Sequence, residues 1–264
     1  MSRAFRCLFS VLLAAGPFSQ GLHGQTVGGL GDPPAAKAVL KGDDLHARHR
    51  PREALDTFQE LLDEDPTHYG ALWRASREAV SLGILTRDEE ARQTWYRNAE
   101  GFAARAVDAR PEGIEGHHWL SVALSRRAGD EGPRTRIQLA QRVREEALFV
   151  LERDSLHAGA HEVLGQWHAE VMRLNGITRF LARKLLGAGT FEEASWAEGE
   201  RHLRRAVELS PEVLMHRLVL ARLLVDRGEV EEARRHLREV LERPALDPVD
   251  PVLKQEAQEL LRNL

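Results

Sequence analysis

Three histidines, His157, His161 and His168, fall at i, i+4 and i+11. On a helix of 3.6 residues per turn that spacing keeps them within roughly 40° of one another, a face from which imidazoles can reach a metal ion. His157 and His161 could share one ion, but His168 lies too far along the helix to join them without a ligand from another element, and nothing in the sequence closes the coordination sphere. Histidines packed between adjacent helix pairs or half exposed on the inner face are therefore the expectation, with no metal or other cofactor. His117 and His118 are neighbours and point about 100° apart. The carboxylate pairs Glu145-Glu146, Glu192-Glu193 and Glu231-Glu232 sit near arginines at helical spacing, as Glu231 does with Arg235, which reads as solvated faces rather than acid–base pairs. Gly28-Gly29-Leu30-Gly31 runs into Asp32-Pro33-Pro34 instead of a strand and helix, so it is a linker and no phosphate loop. With no serine nucleophile motif either, the chain is expected to have no catalytic activity.

The elements that carry these residues are helices. Apolar residues recur at three- and four-residue spacing almost to the end, as in Leu55, Phe58, Leu61 and Leu62, or Leu203, Ala206, Val207 and Leu209. Pro66, Pro111 and Pro211 stop these runs, and Gly83, Gly129 and Gly228 interrupt the longer stretches. Gly42, Ala54 and Pro66 are spaced by twelve residues, as are Ala221 and Ala233 and again Gly199 and Pro211. A small residue in each helix lets the two approach closely, and a proline ends the second; this is the tetratricopeptide pattern. The middle units, Ser76 to Ala99, Ser121 to Val143 and Gly165 to Gly199, are stretched beyond twelve. The fold class is thus all-α, a tetratricopeptide-repeat solenoid of about five helix pairs with a C-terminal capping helix. First helices are predicted over 35–48, 68–83, 113–128, 157–174 and 212–227, and second helices over 51–64, 87–109, 134–153, 190–209 and 229–243. The cap, 249–263, turns Leu253, Ala257, Leu260 and Leu261 inward and Lys254, Gln255 and Glu259 outward.

At 264 residues, 42% hydrophobic and 30% charged, the chain can bury a sizeable core but is too charged to cross a membrane repeatedly. A net charge of -4 argues against a dedicated nucleic-acid binder. Arg3 and Arg6, the apolar run Cys7 to Ala15, then Gly16-Pro17 and a small, polar stretch have the order of a secretory signal. Residues 1–24 are read as a cleaved signal peptide, 25–34 as a linker and 35–264 as the repeat domain, which predicts a periplasmic or secreted protein. Cys7, the one cysteine, leaves with the signal, so the mature chain carries no disulfide.

His117-His118-Trp119, Leu164-Gly165-Gln166-Trp167 and the insert Leu185-Leu186-Gly187-Ala188-Gly189-Thr190-Phe191-Glu192-Glu193-Ala194, in this order and spacing, resemble the regulator of microtubule dynamics family over most of the chain after Pro51. The resemblance implies a helical solenoid without catalytic residues, in a family whose animal members associate with microtubules or sit at membrane contact sites, one type being reported to bind lipid. An export signal implies instead a bacterial cell-envelope protein, where microtubules are absent.

A repeat solenoid presents its concave face, lined by the first helix of each pair. Positions facing away from the partner helix are Asp43 and His46, then Trp73 and Arg77, then His118, Val122 and Arg126, then Glu162, Gln166 and Glu170, and last Arg222 and Asp226. This mixed lining, with an aromatic at one end, predicts an interaction scaffold that holds a protein or peptide partner; lipid or another apolar ligand inside the solenoid is the alternative. In the fourth unit Ile177, Phe180, Leu181, Leu185 and Leu186, flanked by Arg179, Arg183 and Lys184, either cover the solenoid or make peripheral contact with an anionic membrane.

Overall fold

The computed structural model describes residues 33–129, 131–174 and 189–264, and among these it forms eleven α-helices and one 3-10 turn. The helices are α1 (Pro33–Ala47), α2 (Pro51–Glu64), α3 (Tyr69–Leu85), α4 (Glu89–Ala109), α5 (Ile114–Ala128), α6 (Pro133–Arg153), α7 (Ala158–Arg173), α8 (Trp196–Leu209), α9 (Leu214–Asp226), α10 (Val230–Glu242) and α11 (Asp250–Asn263). The segment read as a signal peptide and the amphipathic stretch from Ile177 to Leu186 lie outside the described residues. Among the described residues, no helix is long and apolar enough to cross a membrane.

Local chemistry sets the helix ends. Pro51 and Pro133 sit in the first turns of α2 and α6, where a missing N–H is no loss. Two turns repeat the pattern Asp-x-x-His. Asp65 Oδ1 accepts the Thr67 N–H at 3.0 Å and His68 Nδ1 accepts the Ala71 N–H at 3.1 Å; Asp154 Oδ1 accepts from Leu156 at 3.0 Å and His157 Nδ1 from Ala160 at 3.0 Å. In each, the aspartate fixes the turn and the histidine caps the next helix, satisfying an N–H with no partner inside that helix.

Successive helices pack side by side, and α1, α3, α5, α7 and α9 also touch one another in order, forming the inner layer. Small residues govern the spacing. A Cβ on Gly42 would lie 2.3 Å from the ring of Phe58, itself fully buried, so α1 approaches α2 over that ring. A Cβ on Gly165 would lie 2.5 Å from Leu203 Cγ, and one on Gly199 would lie 3.2 Å from the Gly165 carbonyl oxygen, so α7 and α8 meet nearly backbone to backbone. The fourth pair departs from the predicted 190–209 helix: Gly189–Glu193 forms a 3-10 turn that buries Phe191 edge-on against Trp167, with ring centroids 5.8 Å apart. Ser195 then caps α8 by accepting the Glu198 N–H at 3.1 Å.

The stack does not stay open. The connection between α10 and α11 crosses to its beginning, where Asp247 Oδ2 lies 3.4 Å from His46 Nε2. Ile84, at the end of α3, packs against the apolar cluster of α9, α10 and α11. Residues far apart in sequence thereby roof the inner layer.

Candidate functional site

Under this roof lies a cleft of about 570 Å³. α5 supplies one wall through Glu115, His118, Trp119, Val122 and Arg126, a stripe at three- and four-residue spacing that a single helix face presents. α3 brings Trp73, Arg77, Val80 and Ile84, while the start of α7 brings Gly159 and Glu162. Met215, His216, Leu246, Val249 and Leu253 close the far side. Of the residues predicted for the concave face, Trp73, Arg77, His118, Val122, Arg126 and Glu162 thus meet in one cleft.

Gln166, Glu170, Arg222 and Asp226 do not line it. Glu170 and Asp226 both pair with Arg173, at 2.5 Å each, tying α7 to α9, and Arg222 pairs with Glu256 of α11. The inner surface therefore divides, because contacts between later helices consume the charges that a straight groove would leave free.

Arg77 and Asp247, which line the cleft, belong to an ion network. Asp43 accepts from Arg74 at 2.9 Å and from Arg77 at 2.9 Å; Arg77 also donates to Glu78 at 2.7 Å, and Glu78 meets His46 Nδ1 at 3.0 Å. Burial opposes the Arg77 charge, but Glu78 and Asp43 outweigh it and raise its pKa. Burial likewise works against a charged His46; the contacts with Asp247 and Glu78 prevail, so its pKa is raised. Burial would raise Asp247, yet His46 and the Val249 N–H hold its pKa below the usual carboxylate value. Trp73 is 9% exposed, with the Arg74 guanidinium stacked 3.9 Å from its ring centroid, which makes it as much a packing residue as a lining one.

His118 is the opposite case. Burial, and then the nearness of His157 and His216, hold its pKa well below the ordinary histidine value, so the ring is neutral at pH 7. Its Nδ1 is buried without a hydrogen-bond partner. Gly159 makes room for it, since a Cβ there would lie 2.5 Å from His118 Cε1. Arg126 reaches only the Met215 sulfur, at 3.5 Å, and pairs with no carboxylate among the described residues. Glu162 is taken by His216 Nδ1 at 3.0 Å.

The histidines read first as a metal face divide their work. His157 caps α7, His161 Nδ1 lies 2.8 Å from His202 Nδ1, and His168 Nδ1 accepts the Ser195 N–H at 3.3 Å. His202, on α8, was not visible as their partner from sequence spacing. His117 joins α5 to α6 through Glu146, at 2.5 Å, and to the preceding turn through the Pro111 carbonyl, at 2.8 Å. Trp167 donates to the Ala140 carbonyl at 2.8 Å. The motifs behind the family resemblance thus hold α5, α6, α7 and α8 in register.

Helix pairs stacked through an inner layer and closed by a terminal helix define a tetratricopeptide-repeat solenoid. A thermophilic tetratricopeptide protein of Thermus thermophilus shares this fold with a TM-score of 0.57 and 20% identity, over 86% of this chain and 98% of that one. Residues 38–264 match the family described as regulator of microtubule dynamics protein 1-3, and the chain belongs to that family. It is 25% identical to regulator of microtubule dynamics protein 3 of Bos taurus over 84% of this chain and 47% of the relative. With regulator of microtubule dynamics protein 1 of Mus musculus it shares 23% identity over 62% of this chain and 53% of the relative. The chain spans about half the length of these curated relatives.

Proposed function

We propose that this chain is a non-catalytic interaction scaffold whose inner cleft receives a segment of a partner protein. One observation carries the reading: in a cleft walled by Trp119, Val122, Met215 and Leu253, the Arg126 guanidinium pairs with no carboxylate among the described residues and reaches the Met215 sulfur at 3.5 Å. A segment with an apolar side chain for those walls and a carboxylate for Arg126 fits there, since a guanidinium gains most from a partner that accepts two hydrogen bonds. Native mass spectrometry after gentle purification tests this. A co-purifying protein lost on Arg126→Glu supports the proposal; a co-purifying lipid in its place overturns it in favour of an apolar ligand.

The setting proposed for this scaffold is the bacterial cell envelope, on the strength of the Arg-apolar-small order at the N-terminus. Sequencing of the exported protein should begin near Gln25; an intact Met1 in a cytoplasmic fraction would refute export.

A further inference from the structure

On the opposite side of the molecule from the inner layer, α2 and α4 lie next to each other and leave a groove of about 410 Å³ between them. α2 presents Arg52, Leu55 and Gln59, at i, i+3 and i+7; α4 presents Trp95, Asn98, Phe102 and Arg105, also on one stripe, with Arg97 and Gly101 at its edge. No aspartate or glutamate lines the groove, in a chain with 41 acidic and 37 basic residues. Arg52, Arg97 and Arg105 line it, and among the described residues none of the three pairs with a carboxylate, whereas most other described arginines do.

Neutral groups hold each of the three. Arg52 stacks 4.3 Å from the Trp95 ring centroid, Arg105 lies 6.0 Å from that of Phe102 and donates to the Pro66 carbonyl at 2.8 Å, and Arg97 donates to Thr94 Oγ1 at 3.0 Å. These contacts orient the side chains without neutralising them, and each keeps N–H groups free for an anion. Aromatic stacking also removes part of the entropy cost that a free arginine pays on binding.

We infer that the groove between α2 and α4 is a docking site for an extended, acidic peptide segment of a partner protein. The spacing decides between a segment and a single small anion. Arg97 and Arg105 are eight residues apart, about 12 Å along the helix. Their tethers, Thr94 at one end and Pro66 at the other, draw them further from each other. One phosphate or carboxylate, bonding at about 2.8 Å, does not bridge that gap. An extended chain covers the roughly 15 Å from Trp95 to Arg105 with about five residues. Acidic side chains along it meet the arginines in turn, while Gln59 and Asn98, each with a donor and an acceptor, pair with its backbone. At Gly101 the groove is open, for a Cβ there would have nothing within 4 Å. This site is independent of the inner cleft, and a failure there leaves it standing.

The test is fluorescence anisotropy with labelled hexa-glutamate against hexa-glutamine, at about 50 mM salt, where exposed charges are only partly screened. Hexa-glutamate should bind at least tenfold more tightly than hexa-glutamine, and Arg97→Glu with Arg105→Glu should abolish the difference. Both side chains are exposed, and a thermal melt of the double variant confirms that it folds. Arg205→Glu, on α8, should change nothing. Equal binding of the two peptides overturns the inference. So does an equal loss with Arg205→Glu, which would mean attraction to overall charge. Displacement of the peptide by millimolar inorganic phosphate would show a single-anion site, and arginine-dependent binding to phosphatidylserine vesicles with no peptide binding would show a membrane contact; either result sinks the peptide assignment.

Discussion

His46 and Asp247, from opposite ends of the helical stack, meet at 3.4 Å, and the other nitrogen of the same imidazole faces Glu78 at 3.0 Å. With a carboxylate on each nitrogen, the ring favours its protonated form, and it joins α1, α3 and the connection before α11.

Replacing His46 therefore does two things at once: it releases Asp247 and leaves the fully buried Glu78 with Arg77 alone. His46→Ala should cost about 2 kcal/mol, the scale for a buried charge deprived of one partner. The pH dependence has a sign. Because the folded pKa of His46 is raised, its contribution is complete below the unfolded value of 6.5 and disappears as pH rises through the folded one. The gap in Tm between parent and His46→Ala should be wider near pH 5.5 than near pH 8.5. Equal gaps would rule out the imidazolium.

His161 and His202 behave oppositely. His161 Nε2 lies 3.1 Å from the Ser155 carbonyl and so carries the proton, which leaves its Nδ1 to accept from His202 Nδ1, while Arg201 donates to His202 Nε2 at 3.1 Å. The pair works only when both rings are neutral. Burial, then Arg201 and His161, push the His202 pKa down to about 4. Stability from this pair is full above pH 6.5 and lost as pH falls toward that value. His202→Leu should lower Tm at pH 7, yet flatten its fall between about pH 7 and pH 5. A fall as steep as the parent's would place the acid sensitivity elsewhere.

Two glycines on helices give opposite expectations for alanine. Gly165→Ala drives a methyl into Leu203 and the Gly199 carbonyl, 2.5 and 3.0 Å away, and should destabilise by about 1–3 kcal/mol. Gly101→Ala meets nothing and should stabilise α4 by about 0.5–1 kcal/mol. Urea denaturation of the two variants reads both; a neutral Gly165→Ala would mean that α7 and α8 can separate freely.

Any partner held in the inner cleft should lose at least tenfold in affinity on Arg126→Glu, while Glu170→Ala, whose carboxylate pairs with Arg173 outside the cleft, should leave the affinity unchanged. Trp73→Ala is unsuited to this purpose, because the ring packs in the core of the first units. Titration calorimetry with the captured partner distinguishes the two outcomes.

The helices were legible because small residues and prolines punctuate them at a fixed period. Predicted bounds such as 51–64 for α2 coincide with Pro51–Glu64. The fourth pair misled because Thr190 to Ala194 has helical composition, yet Phe191 is drawn under Trp167, and the chain needs Ser195 to start again. For the site, the His118, Val122 and Arg126 stripe could be read from one helix face. The closing wall could not: the contribution of Leu246, Asp247 and Val249 depends on the curvature of the whole stack, a sum of small rotations that no local pattern records. The Asp-x-x-His turns were readable in principle, since Asp65 to His68 and Asp154 to His157 repeat the spacing, but His157 also fits the spacing of a metal face, which hides its capping role.

An open array of helix pairs frays from its two ends, each terminal unit having one neighbour where an inner unit has two. The bridge from His46 to Asp247 ties α1 to the connection that leads into α11. That link joins the two ends, and amide exchange in α1 and α11 should rise and fall together rather than report two independent ends.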